Sequence, residues 1–219
     1  MSESYPYDHK ARSEVAQFLP DLTSKLTLLE VGCGYGNFRK NIQSECEYWG
    51  IEPIASIAEQ ASATLNNVLV GTFEQAFASL PNNYFDCVIC NDVIEHMGDV
   101  DGFLQTIKSK LKKDGVIVGS IPNVRYIDNL FNLLIKKDWQ YVESGILDKT
   151  HIRFFTQKSM LRTFAANDYV IEAFSGINPV KFKTDSVKRS LMSLGALFLT
   201  LCVGTDSKYT QFGFRIKPR

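Results

Sequence analysis

The stretch Leu28–Gly36, which reads Leu-Leu-Glu-Val-Gly-Cys-Gly-Tyr-Gly, decides the fold of this 219-residue chain. A short apolar run is followed by an acid, and three glycines then alternate with other residues. Glycine adopts backbone angles that are closed to other residues, and it has no side chain to hold a ligand away. The stretch therefore predicts a strand that leads into a tight loop around a bound cofactor.

The spacing of these glycines bears on which cofactor the loop holds. In the dinucleotide fingerprint the third glycine follows the second by three residues, and here Asn37 occupies that position. A carboxylate at Glu30 would repel a pyrophosphate, whereas it would attract the ammonium and sulfonium groups of S-adenosylmethionine. Spacing and charge together favour S-adenosylmethionine over a nicotinamide or a flavin.

With these residues the sequence resembles the class I S-adenosylmethionine-dependent methyltransferases, whose first motif is an acid followed by alternating glycines. The resemblance implies cofactor contacts from five residues of the loop: Glu30, Gly32, Cys33, Gly34 and Gly36. The next apolar run ends in Glu52 and Pro53, where an acid can accept hydrogen bonds from both ribose hydroxyls of an adenosine. NAD-dependent enzymes use an acid in the same way, so Glu52 predicts an adenosine without selecting the cofactor.

Composition predicts one compact globular domain over residues 1–219. The chain is 45% hydrophobic, and 24 basic residues balance 24 acidic ones, so no net charge directs it to nucleic acid. The first ten residues lack the basic and apolar regions of a secretory signal, and five cysteines suit a reducing compartment. We therefore expect a cytoplasmic protein.

Apolar runs alternate with helix-like segments along the chain, as in a parallel sheet that helices cover on both faces. The predicted strands are 27–31, 47–52, 68–70, 85–91, 116–120, 170–174 and 209–216. The predicted helices are 12–19, 38–44, 54–65, 75–79, 102–111, 124–135 and 157–167. The resemblance adds the fold class: a Rossmann-like, doubly wound α/β sheet of seven strands, mostly parallel, with the last strand antiparallel.

Ligands of open α/β sheets bind outside the carboxyl ends of the strands, so the residues after each strand are candidates. After the third strand, the resemblance places the adenine near Thr72 and Phe73, although Thr72 equally fits a helix N-cap. After the fourth strand, residues 91–97 resemble the family's fourth motif. This implies that Asn91 and Asp92 lie beside the cofactor, with Asn91 near its methionine part through the backbone carbonyl.

Two histidines are candidates for the chemistry. His151 lies in the segment 148–156, which resembles a signature in a bacterial subgroup of these enzymes associated with surface polysaccharides and glycans. Methyl transfer to a hydroxyl requires in-line alignment and gains from a base with a pKa near neutrality. We expect His151 to be that base or an anchor of its loop. His96, in the fourth motif, is a base or a structural residue.

Residues after the fifth strand predict the acceptor site. Arg125 suits an anion and Tyr126 suits the face of a sugar ring, while Asn123 caps the next helix or contacts the acceptor. Arg153 pairs with Asp148 or with an acceptor anion. These groups predict a small-molecule acceptor, with a sugar hydroxyl or another glycan-related group as the first choice.

No metal site is predicted. Cys87 and Cys90 are three residues apart in a predicted strand, where strand geometry sends them to opposite faces. No second pair of cysteines completes a ligand set in the sequence, so we expect buried thiols.

Both ends of the chain carry further candidates. Before the first helix, Arg12 suits the carboxylate of the cofactor, with Tyr5, Tyr7 and Lys10 as neighbours, or it is an exposed helix residue. Residues 190–203 are apolar but too short to span a bilayer, which takes about 20 apolar residues. Next to basic residues at 181–189, this stretch is a buried helix, a homodimer or acceptor-covering face, or a peripheral membrane contact.

Two other functions are compatible with these motifs. An NAD(P)-dependent oxidoreductase of similar fold would bind the nicotinamide cofactor and not S-adenosylmethionine. A scaffold protein that binds S-adenosylmethionine without catalysis would release no S-adenosylhomocysteine with any acceptor. Calorimetry with both cofactors separates the first alternative, and an acceptor screen separates the second.

Overall fold

A computed structural model describes residues 11–21, 25–180 and 203–219 of the chain. Seven strands form one sheet in the order β3-β2-β1-β4-β5-β7-β6. Their bounds are β1 Leu26–Val31, β2 Cys46–Glu52, β3 Asn67–Val70, β4 Phe85–Asn91, β5 Leu111–Pro122, β6 Tyr169–Pro179 and β7 Tyr209–Pro218. Strands β1 to β5 are parallel, and β7 runs antiparallel to both β5 and β6. The predicted sheet of seven strands with an antiparallel last strand is confirmed.

Short helices connect the strands. They are α1 Ser13–Ala16, α2 Ala55–Ala61, α3 Phe73–Ala76, α4 Val100–Thr106, α5 Ile127–Phe131 and α6 Gln157–Ala166. Single 3-10 turns lie at Asn37–Asn41, Phe77–Ser79, Ile94–His96, Ile107–Ser109 and Thr205–Lys208, and a π-helical turn at Asn132–Lys136 continues α5. Helices α3 and α6 both begin with a reciprocal capping box, and in α6 Thr156 and Ser159 form it.

Several predicted boundaries are wrong for identifiable reasons. The predicted helix 12–19 is only the four residues of α1: it begins at Ser13, because Arg12 adopts a left-handed conformation with φ 55°, and it ends at Ala16. The predicted helix 38–44 is only a 3-10 turn after Gly36, which is also left-handed. Strand β5 begins at Leu111 rather than at residue 116, because exposed residues 112–114 bulge outward while pairing with β4 continues on both sides.

Strand β4 lies between two apolar cores. Val88 and Cys90 belong to one core, whereas Cys87 and Ile89 belong to the other. This alternation is that of a strand covered on both faces. The thiols of Cys87 and Cys90 are fully buried on opposite faces, and burial raises the pKa of both. The expectation of buried, separated thiols agrees with this arrangement.

Some sequence predictions concern residues outside the described ranges. Tyr5, Tyr7 and Lys10, the basic residues at 181–189 and nearly all of the apolar stretch 190–203 belong to this group. Among the helices of the described ranges, none has the length and apolar character needed to cross a membrane. Membrane contact and a homodimer through the stretch 190–203 stay predictions.

Candidate active site

The loop after β1 has the sharp conformation that the sequence predicts. Its three glycines have φ angles of 70°, 52° and 73° (Gly32, Gly34 and Gly36). These values lie in the left-handed region, where other residues are strained. The amides of Gly32 and Cys33 donate to the carbonyl of Ile51 at 2.9 and 3.0 Å, so the loop folds over the end of β2. A Cβ on Gly32 would lie 2.6 Å from Val93 Cγ2, so the loop also approaches the segment after β4 closely.

Glu52 ends β2 and fastens this loop. The side chain is fully buried. Its Oε2 accepts a hydrogen bond from the Gly34 amide at 3.0 Å, and its Oε1 accepts one from the Ile54 amide at 3.0 Å. One carboxylate thus positions both the glycine loop and the start of α2. The three glycines, which have no side chains, lie beside this acid at the carboxyl ends of β1 and β2 and fit a nucleoside cofactor. The sequence predicts that Glu52 binds the ribose hydroxyls directly, whereas in this structure its buried carboxylate accepts backbone amides through both oxygens.

Glu30 lies beneath the loop rather than in an open pocket. It is 4% exposed, Tyr48 donates its hydroxyl to Oε2 at 2.9 Å, and the side-chain amide of Asn91 reaches Oε1 at 3.5 Å. Burial raises the pKa of Glu30 to about 8, so the carboxyl is mostly protonated near neutral pH. The sequence predicts a charged carboxylate at this position, and that expectation is corrected here, because Glu30 is mostly uncharged in this structure.

Several residues predicted to bind the cofactor have only main-chain atoms available for that contact. The Cys33 side chain is buried so tightly against Gly50 that a Cβ there would lie 2.6 Å from its sulfur. Asn91 ends β4 with its side chain turned to Glu30, and its predicted contact is its carbonyl. Pro53 is exposed at the end of β2. The predicted contacts of Cys33 and Asn91 therefore rest on their main-chain atoms.

Thr72 and Phe73 follow β3, but the fold uses their side chains. The Thr72 hydroxyl accepts from the Gln75 amide at 3.4 Å, and the Gln75 side chain accepts from the Thr72 amide at 2.8 Å, which caps α3. The buried ring of Phe73 packs edge-on against Phe103 with ring centres 4.8 Å apart. Because both side chains are engaged in this way, only the backbone of Thr72 and Phe73 is available for the predicted adenine contact.

Arg12 and Asp92, both predicted to bind the cofactor, bind each other. Arg12 Nη1 is 2.6 Å from Asp92 Oδ2, and Arg12 Nε is 2.7 Å from Glu14 Oε1. Asp92 also accepts from Ser120 Oγ at 2.8 Å and from the side-chain amide of Gln211 at 2.5 Å. A cofactor carboxylate would reach Arg12 only in competition with this network, which differs from the expected free clamp.

Glu95, His96 and His151 come together at the carboxyl end of β4. One ligand atom from each residue lies within 4.8 Å of the other two. The rings of His96 and His151 meet edge to face with centres 4.7 Å apart, and His151 Nε2 is 3.8 Å from Glu95 Oε1. Glu95 is absent from the predicted site residues. The signal that could have found it is its place beside His96 in the fourth motif.

Backbone carbonyls set the orientation of both imidazole rings. Nδ1 of His151 is 3.0 Å from the Ile146 carbonyl, and Nδ1 of His96 is 3.2 Å from the Thr150 carbonyl. The Thr150 hydroxyl, 3.3 Å from the same His96 nitrogen, donates to Asp148 at 2.6 Å. Because a carbonyl only accepts, each Nδ1 carries a proton and each Nε2 of the neutral ring keeps a lone pair.

The two histidines differ in access to solvent. His151 is 8% exposed, whereas His96 is exposed. Burial and the neighbouring His151 lower the pKa of His96, so its ring is neutral near pH 7. Of the two catalytic candidates, His96 therefore offers the more accessible lone pair. His151, the favoured base from the sequence, is instead placed against Glu95.

Hydrogen bonds attach the segment around His151 to the turn after β4. The amides of Ile152 and Arg153 both donate to the Glu95 carbonyl at 3.1 Å. The Arg153 guanidinium donates to the Met97 carbonyl at 3.2 Å and to the Gly98 carbonyl. Arg153 is thus engaged with backbone carbonyls, where Asp148 or an acceptor anion was expected.

The predicted acceptor residues after β5 also serve the fold. Asn123 is buried, accepts from the Arg125 amide at 3.0 Å, and donates to the carbonyls of Asp206 and Tyr209 at 2.9 Å each. Arg125 forms an ion pair with Asp206 at 2.8 Å. Tyr126 is half-buried immediately before α5. Asn123 therefore stabilises the turn, and Arg125 connects it to the start of β7.

Comparisons with known proteins agree on one family. Residues 5–173 match the model of a methyltransferase domain. The chain is 25% identical to the ubiquinone biosynthesis O-methyltransferase of Rickettsia akari over 185 residues, which cover 79% of this chain and 72% of the relative. It is 31% identical to the enzyme of the same name from Rickettsia canadensis over 132 residues, which cover 58% of this chain and 55% of the relative.

Solved structures show the same fold. A SAM-dependent methyltransferase from Archaeoglobus fulgidus superposes with a TM-score of 0.65 at 19% identity, covering 98% of this chain and 96% of that chain. An S-adenosylmethionine-dependent methyltransferase from Mesorhizobium loti gives 0.61 at 15% identity, covering 94% and 97%. The chain therefore belongs to the methyltransferase domain family and is a methyltransferase with the fold of S-adenosylmethionine-dependent enzymes.

Proposed function

We propose that this methyltransferase transfers the methyl group of S-adenosylmethionine to a hydroxyl oxygen of an aromatic acceptor. The observation that carries the choice of oxygen is the exposed, neutral imidazole of His96 at the carboxyl end of β4. Support for an aromatic acceptor comes from relatives named as ubiquinone biosynthesis O-methyltransferases.

The cofactor would lie across the carboxyl ends of β1 and β2. The glycine loop Gly32–Gly36 would lie against it with no side chain on its glycines, and Glu52, whose buried carboxylate accepts the Gly34 amide, would hold the loop beside the ribose. The backbone of Thr72 and Phe73 would contact the adenine, and the Asn91 carbonyl would contact the methionine part. When bound, the cofactor supplies an electrophilic methyl carbon on a positively charged sulfur.

The protein's part in the reaction is alignment and proton transfer. The bond from carbon to the acceptor oxygen forms as the bond from carbon to sulfur breaks, and the hydroxyl proton must leave. Nε2 of His96 accepts that proton, because Nδ1 is held as a donor by the Thr150 carbonyl. His151 packs against the His96 ring and keeps it in place.

The surface beside the site favours an apolar acceptor over a sugar. Seven large apolar side chains on α5 and the segments after it are 43–61% exposed: Phe131, Leu133, Leu134, Ile135, Tyr141, Val142 and Ile152. They follow β5 along the chain, and the amide of Ile152 donates to the carbonyl of Glu95, the residue before His96. Arg125 and Arg153, the groups expected to bind an anion, are engaged with Asp206 and with backbone carbonyls. The glycan acceptor expected from the sequence therefore has less support than an aromatic one.

An acceptor screen tests the proposal. The full chain is incubated with S-adenosylmethionine and with catechols, hydroquinones, simple phenols, free sugars and nucleotide sugars, and released S-adenosylhomocysteine is measured. We expect release with the aromatic hydroxyls and an O-methyl product by mass spectrometry. Release with sugars alone would overturn the aromatic acceptor. Tight cofactor binding without release from any acceptor would favour a scaffold protein.

A further inference from the structure

A line of aromatic rings leads from the segment before His151 to the exposed imidazole of His96. The ring centres of Trp139 and Tyr141 lie 5.3 and 6.2 Å from the centre of the Phe154 ring. The Phe154 ring lies 6.5 Å from the His151 ring, which in turn lies 4.7 Å from the His96 ring. Aromatic rings attract one another at separations of about 4.5–7 Å. The five rings therefore form one continuous cluster, and it ends at the imidazole proposed as the base.

The outer end of this cluster is open to solvent. Tyr141 is 53% exposed, and Trp139 and Phe154 are half-buried. Large aromatic side chains gain most when their area is buried, and an exposed apolar patch often marks a binding site. We call these three rings the aromatic platform.

The loop that carries Tyr141 is held by other groups. The amide of Val142 donates to the Leu147 carbonyl, and the amide of Lys149 donates to the Val142 carbonyl, both at 3.0 Å. The side chain of Leu147 is buried and anchors the loop to the rest of the protein. The exposed ring of Tyr141 is therefore available to a ligand.

We infer that the aromatic platform binds the ring of the methyl acceptor and selects an aromatic ring over a saturated one. This inference rests on the proposed transfer to an aromatic hydroxyl and names the residues that recognise the acceptor. A planar π-system can stack on the platform or meet it edge to face, whereas a saturated ring has no π-system for either contact. Because the cluster ends at His96, a ring bound beside His151 can present its hydroxyl to Nε2 of His96.

Tryptophan fluorescence tests the inference without methyl transfer. The chain has two tryptophans, so Trp49→Phe leaves Trp139 as the only one. Trp49 packs against Tyr84 and Phe85, and phenylalanine keeps a ring in that place. The variant is saturated with S-adenosylhomocysteine, which cannot donate a methyl group. It is then titrated with catechol or with cyclohexanediol, which carries two hydroxyls on a saturated ring.

We expect catechol to change the Trp139 fluorescence saturably and cyclohexanediol to bind about tenfold more weakly. No saturable change with catechol, or equal binding of cyclohexanediol, would overturn the inference. Calorimetry on the unchanged chain measures the same two affinities, so the comparison does not depend on the folding of the Trp49→Phe variant.

Two substitutions locate the bound ring. Tyr141→Leu is the main one, because its exposed position tolerates substitution, and Phe154→Leu removes the centre of the platform. Each should weaken catechol binding about fivefold or more. Phe174→Leu is the matched control, since it removes a half-buried ring that stacks on Phe212 at 5.2 Å in another part of the sheet. Circular dichroism checks that each variant folds. Unchanged catechol affinity in a folded Tyr141→Leu protein, or an equal loss in Phe174→Leu, would overturn the inference.

Kinetics with S-adenosylmethionine separates this inference from the proposed function. A ring contact made equally before and during methyl transfer affects KM and leaves kcat unchanged, so Tyr141→Leu should raise KM for catechol about fivefold. Methyl transfer to catechol with an unchanged KM in Tyr141→Leu would overturn the platform and leave the proposed function intact. Catechol binding that depends on Tyr141 but yields no S-adenosylhomocysteine would support the platform and count against the proposed function.

Discussion

Glu30 occupies the acidic position of the first motif, yet its carboxyl lies beneath the cofactor loop with Tyr48 and Asn91 as partners. The same residue type in solution would be fully charged at pH 7. Burial holds a proton on it instead, with a pKa of about 8. We therefore expect the charge on Glu30 to depend on whether a cationic ligand binds next to the loop.

Binding of S-adenosylmethionine should release a proton from Glu30. The sulfonium favours the carboxylate, so the pKa falls on binding, and affinity should rise as the pH approaches 8 and level off above it. S-adenosylhomocysteine has a neutral sulfur and should release fewer protons. Calorimetry in buffers of different ionisation enthalpy counts them. Glu30→Gln should abolish the difference, and an unchanged proton count in that variant would assign the release to another group.

Replacing His96 by Gln should lower kcat about 10²-fold or more and leave the affinity for S-adenosylmethionine within about twofold. The reason is that His96 is proposed to accept only the acceptor proton and not to contact the cofactor. Steady-state kinetics and calorimetry measure the two quantities. His9→Gln is the control. An equal loss of cofactor affinity and of kcat would instead make His96 a structural residue.

At the scale of single elements, the conformation of the loop after β1 can be predicted from its glycines. Each of them has a positive φ, which glycine adopts more readily than other residues. Helix lengths are encoded less directly. The apolar spacing of residues 38–44 fits a helix, but the chain leaves Gly36 in a left-handed conformation and closes only one 3-10 turn. Residues 113–115 have the composition of a turn, yet pairing between β4 and β5 occurs on both sides of them. Local sequence patterns thus indicate which element forms, whereas tertiary contacts determine the residues at which it begins and ends.

Gly32→Ala should destabilise this loop for two reasons. Its φ of 70° strains any side-chain-bearing residue, and the new Cβ would lie 2.6 Å from Val93 Cγ2. We expect the free energy of unfolding to fall by about 1–2 kcal/mol and cofactor affinity to fall with it. Gly98→Ala is the control, since a Cβ at that position would have open space within 4 Å. Equal effects of the two changes in denaturant unfolding would contradict this account.

Across the whole molecule, the network around Asp92 connects α1, the end of β4, β5 and β7. Sequence reasoning selects Arg12 and Asp92 individually and assigns both to the cofactor. The pairing could not be predicted, because the two residues are separated by 80 positions and meet only in the folded chain. The same holds for Glu95 and His151, which are 56 positions apart and meet where the amides of Ile152 and Arg153 are hydrogen-bonded to the Glu95 carbonyl.

Asp92→Asn should reduce the free energy of unfolding by about 1–3 kcal/mol, because a part-buried guanidinium loses a charged partner 2.6 Å away. Lys25→Ala is the matched control, since it breaks the 2.6 Å ion pair between Lys25 and Glu45. Both of these side chains are mostly exposed. That pair is screened by water, so little change is expected. Denaturant unfolding compares the two, and a larger loss from Lys25→Ala would contradict the assignment.

Main-chain groups fasten much of the segment that contains His151. The Glu95 carbonyl receives two amides from it, and Phe155 bridges to Asn123 through the backbone. Hydrogen bonds between peptide groups depend little on which side chains the segment carries. Descendants of one ancestral enzyme could therefore exchange those side chains and acquire new acceptors while the segment keeps its anchorage.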